Sequence, residues 1–192
     1  MSYKLLHDYE HTLSFHIENE ELWKKMPDYS PRFRAKPRAG SWVAPNAEFF
    51  ASHNYEGDPS VVPPDVCTWS TGNLVFSESA YKVFKSLLER SGEFLPTNVN
   101  GSTYYLFNTL FVIPEEGINK DKAVDVIDSG VHLGLDNVTF NEEALDGAVI
   151  FKSSTDRLVH SYSTDEFKNL YDKNGFKGLK FEKVMSSNHA PN

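Results

Sequence analysis

The chain has 192 residues and a mass of 21.8 kDa, with 40% hydrophobic and 14% aromatic residues. A chain of roughly 100–200 residues usually folds as one domain, and a disordered coil carries fewer aromatic residues than this. The longest apolar run, from Tyr104 to Pro114, is shorter than the roughly 20 residues that a membrane helix needs. The composition therefore predicts one soluble domain over residues 1–192.

The charge balance is acidic. Nineteen Lys and Arg stand against 27 Asp and Glu, which gives a formal net charge of −8 and a pI near 5.3. Such a charge repels nucleic acids and anionic lipid surfaces, so a basic protein is the expected partner, and neither nucleic acid nor a membrane is. The N-terminus shows no cationic and apolar leader, and the single cysteine, Cys67, cannot form an internal disulfide. Both observations favour the cytoplasm.

Residues 1–60 are predicted to form an extended, proline-rich N-terminal part. Leu13, Phe15 and Ile17 alternate with polar residues, which is typical of a half-buried strand. Prolines recur between residues 27 and 64 and limit regular structure there. We expect four aromatic residues to hold this segment against the core: Trp42, Phe49, Phe50 and Tyr55.

Two principal helices are predicted, over about residues 78–91 and 164–174. In the first, apolar residues recur at helical spacing, with Ser77 as N-cap and Gly92 as the left-handed residue after the last turn. In the second, residues 163–166 match a capping box, and Asn174-Gly175 ends the helix.

The remaining apolar segments predict strands. Residues 73–76 suit a short strand, and the apolar run from Tyr104 to Ile113 suits a central strand covered on both faces. Further short strands are predicted at 131–135, 138–140, 148–152, 158–162 and 179–184. The predicted fold class is therefore α+β, with a mixed, mostly antiparallel sheet and a frayed tail at residues 186–192.

Residues 121–146 form an acidic segment, with seven Asp and Glu and one Lys. One interpretation is that these charges lie on turns and on an outer face and only keep the protein soluble. The other is that they bind a basic partner, because complementary charge raises association rates. The candidate partner-binding residues are Asp125, Asp128, Asp136, Glu142 and Glu143.

Motifs that could carry catalysis are sparse. Residues 7–11 read His-Asp-Tyr-Glu-His and match the H-x-x-E-H pattern of a helical zinc site, but no helical apolar pattern surrounds them. We interpret them as a solvated chance cluster, and expect no metal and no cofactor. No sequence motif pairs Cys67 with a histidine that could act as its catalytic base, and we expect Cys67 to be buried. The sequence contains no glycine-rich phosphate-binding motif.

Four cations alternate with apolar residues between positions 32 and 39. In an extended chain Arg32, Arg34, Lys36 and Arg38 would share one face, which could hold an anion or RNA. Because the whole chain is acidic, pairing with the protein's own carboxylates is the favoured interpretation.

Several short motifs follow one another in a recognisable order: residues 74–78, 92–96, 100–108, 124–129, 147–152, 163–167 and 175–181. In this order they resemble the bacterial immunity-protein family found beside polymorphic toxins, which includes the myxobacterial immunity domain. The resemblance covers about residues 61–184. It implies a cytoplasmic protein without catalytic residues or cofactor that binds and neutralises a cognate toxin.

Two other classes of function remain open. The chain could be a hydrolase or transferase whose site is assembled from distant residues, such as Cys67 and a histidine, and a pocket with convergent His, Cys and carboxylate groups would favour this class. It could also be a phage or mobile-element accessory protein that acts on a different protein partner.

Overall fold

The computed structural model describes residues 1–28, 32–52, 55, 57–70 and 72–184, so the predicted frayed tail at 186–192 lies outside the described residues. The helices are α1 (Asn19–Lys25), α2 (Glu78–Phe84) and α3 (Asp165–Lys173). The strands are β1 (Ser2–His7), β2 (Ser14–His16), β3 (Asn46–Phe50), β4 (Val66–Trp69), β5 (Asn73–Ser77), β6 (Gly92–Val99), β7 (Ser102–Thr109), β8 (Ile118–Asn119), β9 (Val124–Asp128), β10 (Val131–Asp136), β11 (Thr139–Phe140), β12 (Ile150–Phe151), β13 (Tyr162–Thr164) and β14 (Leu179–Lys183). None of these helices is both long and apolar enough to cross a bilayer.

Two sheets dominate the fold. A six-stranded sheet has the order β2-β3-β6-β7-β5-β4, and a four-stranded sheet has the order β12-β13-β1-β14. In both sheets neighbouring strands are antiparallel, except that β3 and β6 are parallel. Two separate strand pairs, β8–β11 and β9–β10, complete the architecture. The predicted α+β class with mixed, mostly antiparallel sheet is confirmed.

The central strand β7 has a hydrophobic core on each face. Phe107 belongs to a core that also holds side chains of α2, α3 and the four-stranded sheet. Its neighbour Leu106 belongs to a second core, with α1 and Phe33. Both residues are fully buried, which confirms the strand predicted to be covered on two sides. The strand ends at Thr109, four residues before the predicted end.

The described residues of the N-terminal part contribute strands to both sheets, and β2 is the strand predicted around Phe15. β1 lies between β13 and β14, and β2 and β3 form one side of the six-stranded sheet. The helix α1 was not predicted, and it packs Leu22 into the second core. Trp42 and Phe49 pack against that core as predicted, whereas Phe50 is exposed.

The first predicted helix begins correctly but is too long. The Ser77 hydroxyl accepts a hydrogen bond from the backbone N–H of Ala80 at 3.2 Å, as expected of an N-cap. The α-helix ends at Phe84, and residues 85–91 form turns. Gly92 is not a left-handed cap, because it begins β6, where an added Cβ would lie 2.2 Å from the carbonyl oxygen of Asn108. A glycine is needed there for close strand pairing.

The second predicted helix matches α3 to within one residue at each end, but its predicted capping box is absent. Ser163 lies in β13, and the N-cap residue is Thr164, whose side chain makes no capping hydrogen bond. With Thr164 at the N-cap, the position three residues on is Phe167, which has no carboxylate, so Ser163 and Glu166 cannot form the predicted box.

One predicted strand is wrong. Residues 158–161 are not a strand, because Arg157 and Leu158 adopt left-handed backbone angles with φ of 60° and 64°. The strands predicted at 131–135 and 138–140 correspond to β10 and β11. β10 pairs with β9, and β11 pairs with β8.

Candidate functional site

The β9–β10 hairpin, residues 124–136, carries three of the five predicted partner-binding acids. Asp125, Asp128 and Asp136 are all exposed. Asp125 lies 2.9 Å from the ring nitrogen Nε2 of His132 on the neighbouring strand. The hairpin therefore presents acidic side chains to solvent, and their role in partner binding stays a prediction.

The same hairpin also exposes apolar side chains, which the sequence analysis missed. Five of its large hydrophobic residues are exposed: Val124, Val126, Ile127, Val131 and Leu133, with Ile127 the most exposed at 64%. The alternation of apolar residues had indicated a half-buried strand. Within the described part of the chain nothing covers most of this apolar surface. The hairpin is therefore a mixed acidic and apolar surface.

Gly134 fixes the hairpin to the body of the protein. Its φ is 135°, and it lies at a register shift between β10 and β9. A Cβ at this position would lie 2.3 Å from the carbonyl oxygen of Thr155. Only glycine allows β10 to approach the short 3-10 turn at residues 154–156 so closely.

The other two predicted acids lie on a separate 3-10 turn, Glu142–Leu145. Glu142 forms an ion pair with the α-amino group of Met1, which also pairs with Asp165 at 2.7 Å. Glu143 is exposed. The structure thus groups three of the five acids on the hairpin and engages Glu142 in an ion pair within the protein.

A cavity of about 910 Å³ lies beneath the hairpin. One part of its wall comes from the hairpin, through Val126 and residues 133–136. Other parts come from Ser154, from residues 156–160, from Lys4 in β1 and from the end of β14, including Lys183. The hairpin is therefore both an exposed surface and one wall of the cavity.

Asp156 is the centre of a polar cluster in the cavity wall. It is 8% exposed, and its Oδ2 accepts a hydrogen bond from the Tyr162 hydroxyl at 2.9 Å and lies 3.0 Å from Nδ1 of His160. Burial, and secondly the charge of Asp156, raise the pKa of Tyr162, so its hydroxyl stays a donor. The carboxylate thus orients the His160 ring through Nδ1. The other ring nitrogen, Nε2, takes no part in this contact.

Lys152 is fully buried and interacts electrostatically with the carboxylate of Asp156. Burial lowers the pKa of Lys152 to about 8, and the attraction of Asp156 opposes only part of that shift. Its Nζ lies 3.4 Å from Oδ1 of Asn73. This buried lysine could not be predicted from the sequence, since nothing in residues 148–152 distinguishes it from a lysine on an exposed strand end.

A histidine oriented by a carboxylate is the arrangement of a general base and its positioning group. Cys67 cannot be the nucleophile for this base. It lies in the core with α1 and Phe33, is not among the residues that line the cavity, is fully buried, and has its thiol pKa raised by burial. Ser154 also lines the cavity, but its hydroxyl donates to Oε1 of Glu115 at 2.8 Å.

The H-x-x-E-H pattern does not form a helical pair of histidines. His7 ends β1 and is buried, whereas His11 lies in the following turn with its side chain 70% exposed. Asp8, Glu10 and His11 do approach one another, with ligand atoms within 4.8 Å. However, Nζ of Lys180 lies 2.7 Å from Glu10 and 3.3 Å from Asp8. The lysine already supplies the positive charge that these carboxylates attract.

The four alternating cations do not share one face. Arg34 and Ala35 have positive φ, so the segment is not extended. Arg32 and Arg34 line the cavity, whereas the guanidinium of Arg38 lies over the ring of Phe33 at 5.4 Å. Turn geometry therefore separates side chains that the sequence pattern had placed together.

The sequence matches no protein-family model and no curated protein. The resemblance to immunity proteins therefore depends on the order of the motifs named above.

Proposed function

We propose that the protein is a non-enzymatic, cytoplasmic immunity protein that binds a basic cognate toxin through the β9–β10 hairpin and neutralises it. The observation that carries the proposal is the exposure of five large apolar side chains on one hairpin that also bears Asp125, Asp128 and Asp136. Large apolar side chains exposed together on one short segment of a protein surface mark interaction sites. The resemblance to immunity proteins supports the same class of function.

The backbone of the hairpin offers a second means of binding. Among the described residues β9 and β10 pair only with each other, so each strand has an open edge. An open edge can accept a strand from a partner through backbone hydrogen bonds. Apolar contacts then supply affinity, and the acids increase the rate of encounter with a basic partner.

The first test is co-expression with the product of the adjacent upstream gene, followed by co-purification and a test of rescue from toxicity. We expect Val131→Ser to weaken the complex about tenfold, because a central apolar contact commonly contributes more than 1 kcal/mol. The matched control is Val43→Ser, since Val43 is exposed to a similar degree, 49% against 54%, outside the hairpin. Equal binding by both variants would place the interface elsewhere.

The acids are tested through kinetics. We expect Asp125→Asn/Asp128→Asn to lower the association rate at low salt and to have little effect at high salt, because exposed charges are screened within about 8–10 Å. Glu89→Gln/Glu116→Gln removes two exposed acids outside the hairpin and is the control. A wild-type association rate and salt dependence in the hairpin variant would show that these acids serve solubility alone.

A hydrolase or transferase is the second candidate, favoured by the pair of His160 and Asp156 in the cavity wall. In that case water or a substrate group would lose its proton to Nε2 of His160. His160→Gln separates the two candidates. If this variant binds the toxin normally but no longer protects cells, protection requires chemistry, whereas unchanged protection supports the binding protein.

A further inference from the structure

We propose that the cavity beneath the β9–β10 hairpin binds a small organic anion, with an apolar body and a carboxylate or phosphate group. This inference goes beyond toxin binding, because it concerns a different ligand and can be tested on the isolated protein.

The charge of the cavity wall is opposite to that of the whole protein. Five Lys and Arg side chains line the cavity against three Asp and Glu, although the chain carries a formal charge of −8. Four of these cations, Lys4, Arg34, Arg157 and Lys183, form no ion pair within 4.0 Å in the part of the chain that the structure describes. Unpaired cations around a concave surface attract an anion.

Three carboxylates line the same wall, those of Asp136, Asp156 and Glu182, and they offset three of the five cations. Asp156 is already held by Tyr162 and His160. Asp136 accepts a hydrogen bond from the backbone N–H of Asn137 at 2.9 Å. Arg157, by contrast, is exposed and carried on a left-handed backbone. Its guanidinium is therefore accessible to a ligand at the cavity.

The remaining wall is apolar and therefore favours a ligand with an apolar body. Val126, Leu133 and Leu135 line the cavity from the hairpin, and Val112 and Val184 line it from the body of the protein. The volume of about 910 Å³ lies within the range of small-molecule sites, roughly 300–1,000 Å³. An inorganic anion would leave this apolar surface uncovered, so an amphipathic anion fits better.

The probes are 2-naphthyl phosphate, 2-naphthoate, 2-naphthylmethylammonium and inorganic phosphate, each titrated into the full chain by calorimetry. We expect saturable one-to-one binding of the naphthyl anions. Inorganic phosphate is expected to bind at least about tenfold more weakly than they do. The relative affinity of the first two probes assigns the head group as phosphate or carboxylate. Equal or tighter binding of the ammonium probe, or no saturable binding of either naphthyl anion, would overturn the proposal.

Variants locate the site. We expect Arg157→Gln and Lys183→Gln each to weaken binding of the better naphthyl anion about tenfold, which is about 1.4 kcal/mol, since each removes a charged donor to the head group. Lys85→Gln removes an exposed cation on the turns after α2 and is expected to bind like the wild type. Lys183 is exposed near the end of β14, so its replacement should leave the fold intact. Equal loss in the Lys85 variant would show a general charge effect and would contradict a site in the cavity.

Discussion

Leu88→Ala is expected to lower the free energy of unfolding by about 2–5 kcal/mol, which is the range for removing a buried leucine side chain. Leu88 is fully buried in the core that joins α2, α3 and the two sheets. Its carbonyl also accepts hydrogen bonds from Ser91 and Gly92, which lead the chain into β6. The cavity left by the substitution would lie where the helix, the turns and the sheet meet. We therefore expect the surrounding side chains to relax little into it.

Leu87→Ala is the matched control for this experiment, because Leu87 is adjacent and chemically identical but only half-buried. It should destabilise the protein less than Leu88→Ala in the same denaturant titration. Equal losses, or a loss below about 1 kcal/mol for Leu88→Ala, would show that the packing described for the turns after α2 is wrong.

The segments that sequence analysis predicted best are those in which one apolar face meets a large core. β5, β7 and α3 lie close to their predicted positions because their apolar residues are contiguous or helically spaced and are buried in the structure. α1 was missed because Leu22 is its only buried residue, which is too weak a pattern for a helix. α2 was extended too far because the turns after Phe84 keep an apolar spacing that continues the helical one.

The candidate site was predictable only in part, because a pattern of apolar residues does not show what covers them. Val131 and Leu133 alternate as in a half-buried strand, yet both are exposed. The acids of the hairpin could be found from their density in the sequence. The approach of His160 to Asp156 could not, because it depends on the left-handed backbone of Arg157 and Leu158.

The second large effect is expected in the pH dependence of the free energy of unfolding, and it comes from Lys152. Its pKa falls from an ordinary value of 10.5 to about 8 because the folded protein buries the ammonium group. Between these two pH values the unfolded chain holds the proton and the folded protein has released it. The unfolded state then binds more protons, so stability rises with pH through this window. The full rise from this one group is about 3 kcal/mol, at 1.36 kcal/mol per pKa unit.

The measurement compares the wild type with Lys152→Met by denaturant titration between about pH 7 and pH 10. We expect the stability of the wild type relative to the variant to be constant below about pH 8 and to increase above it. Cys67 and Tyr162 act in the opposite direction, because burial raises their pKa, but both are present in the two proteins and cancel in the difference. Lys85→Met, at an exposed lysine, should show no such change with pH. If the difference in the free energy of unfolding between wild type and Lys152→Met stays constant up to pH 10, the buried amine keeps its proton. Asp156 and Asn73 would then compensate the burial of the ammonium group more fully than their geometry indicates.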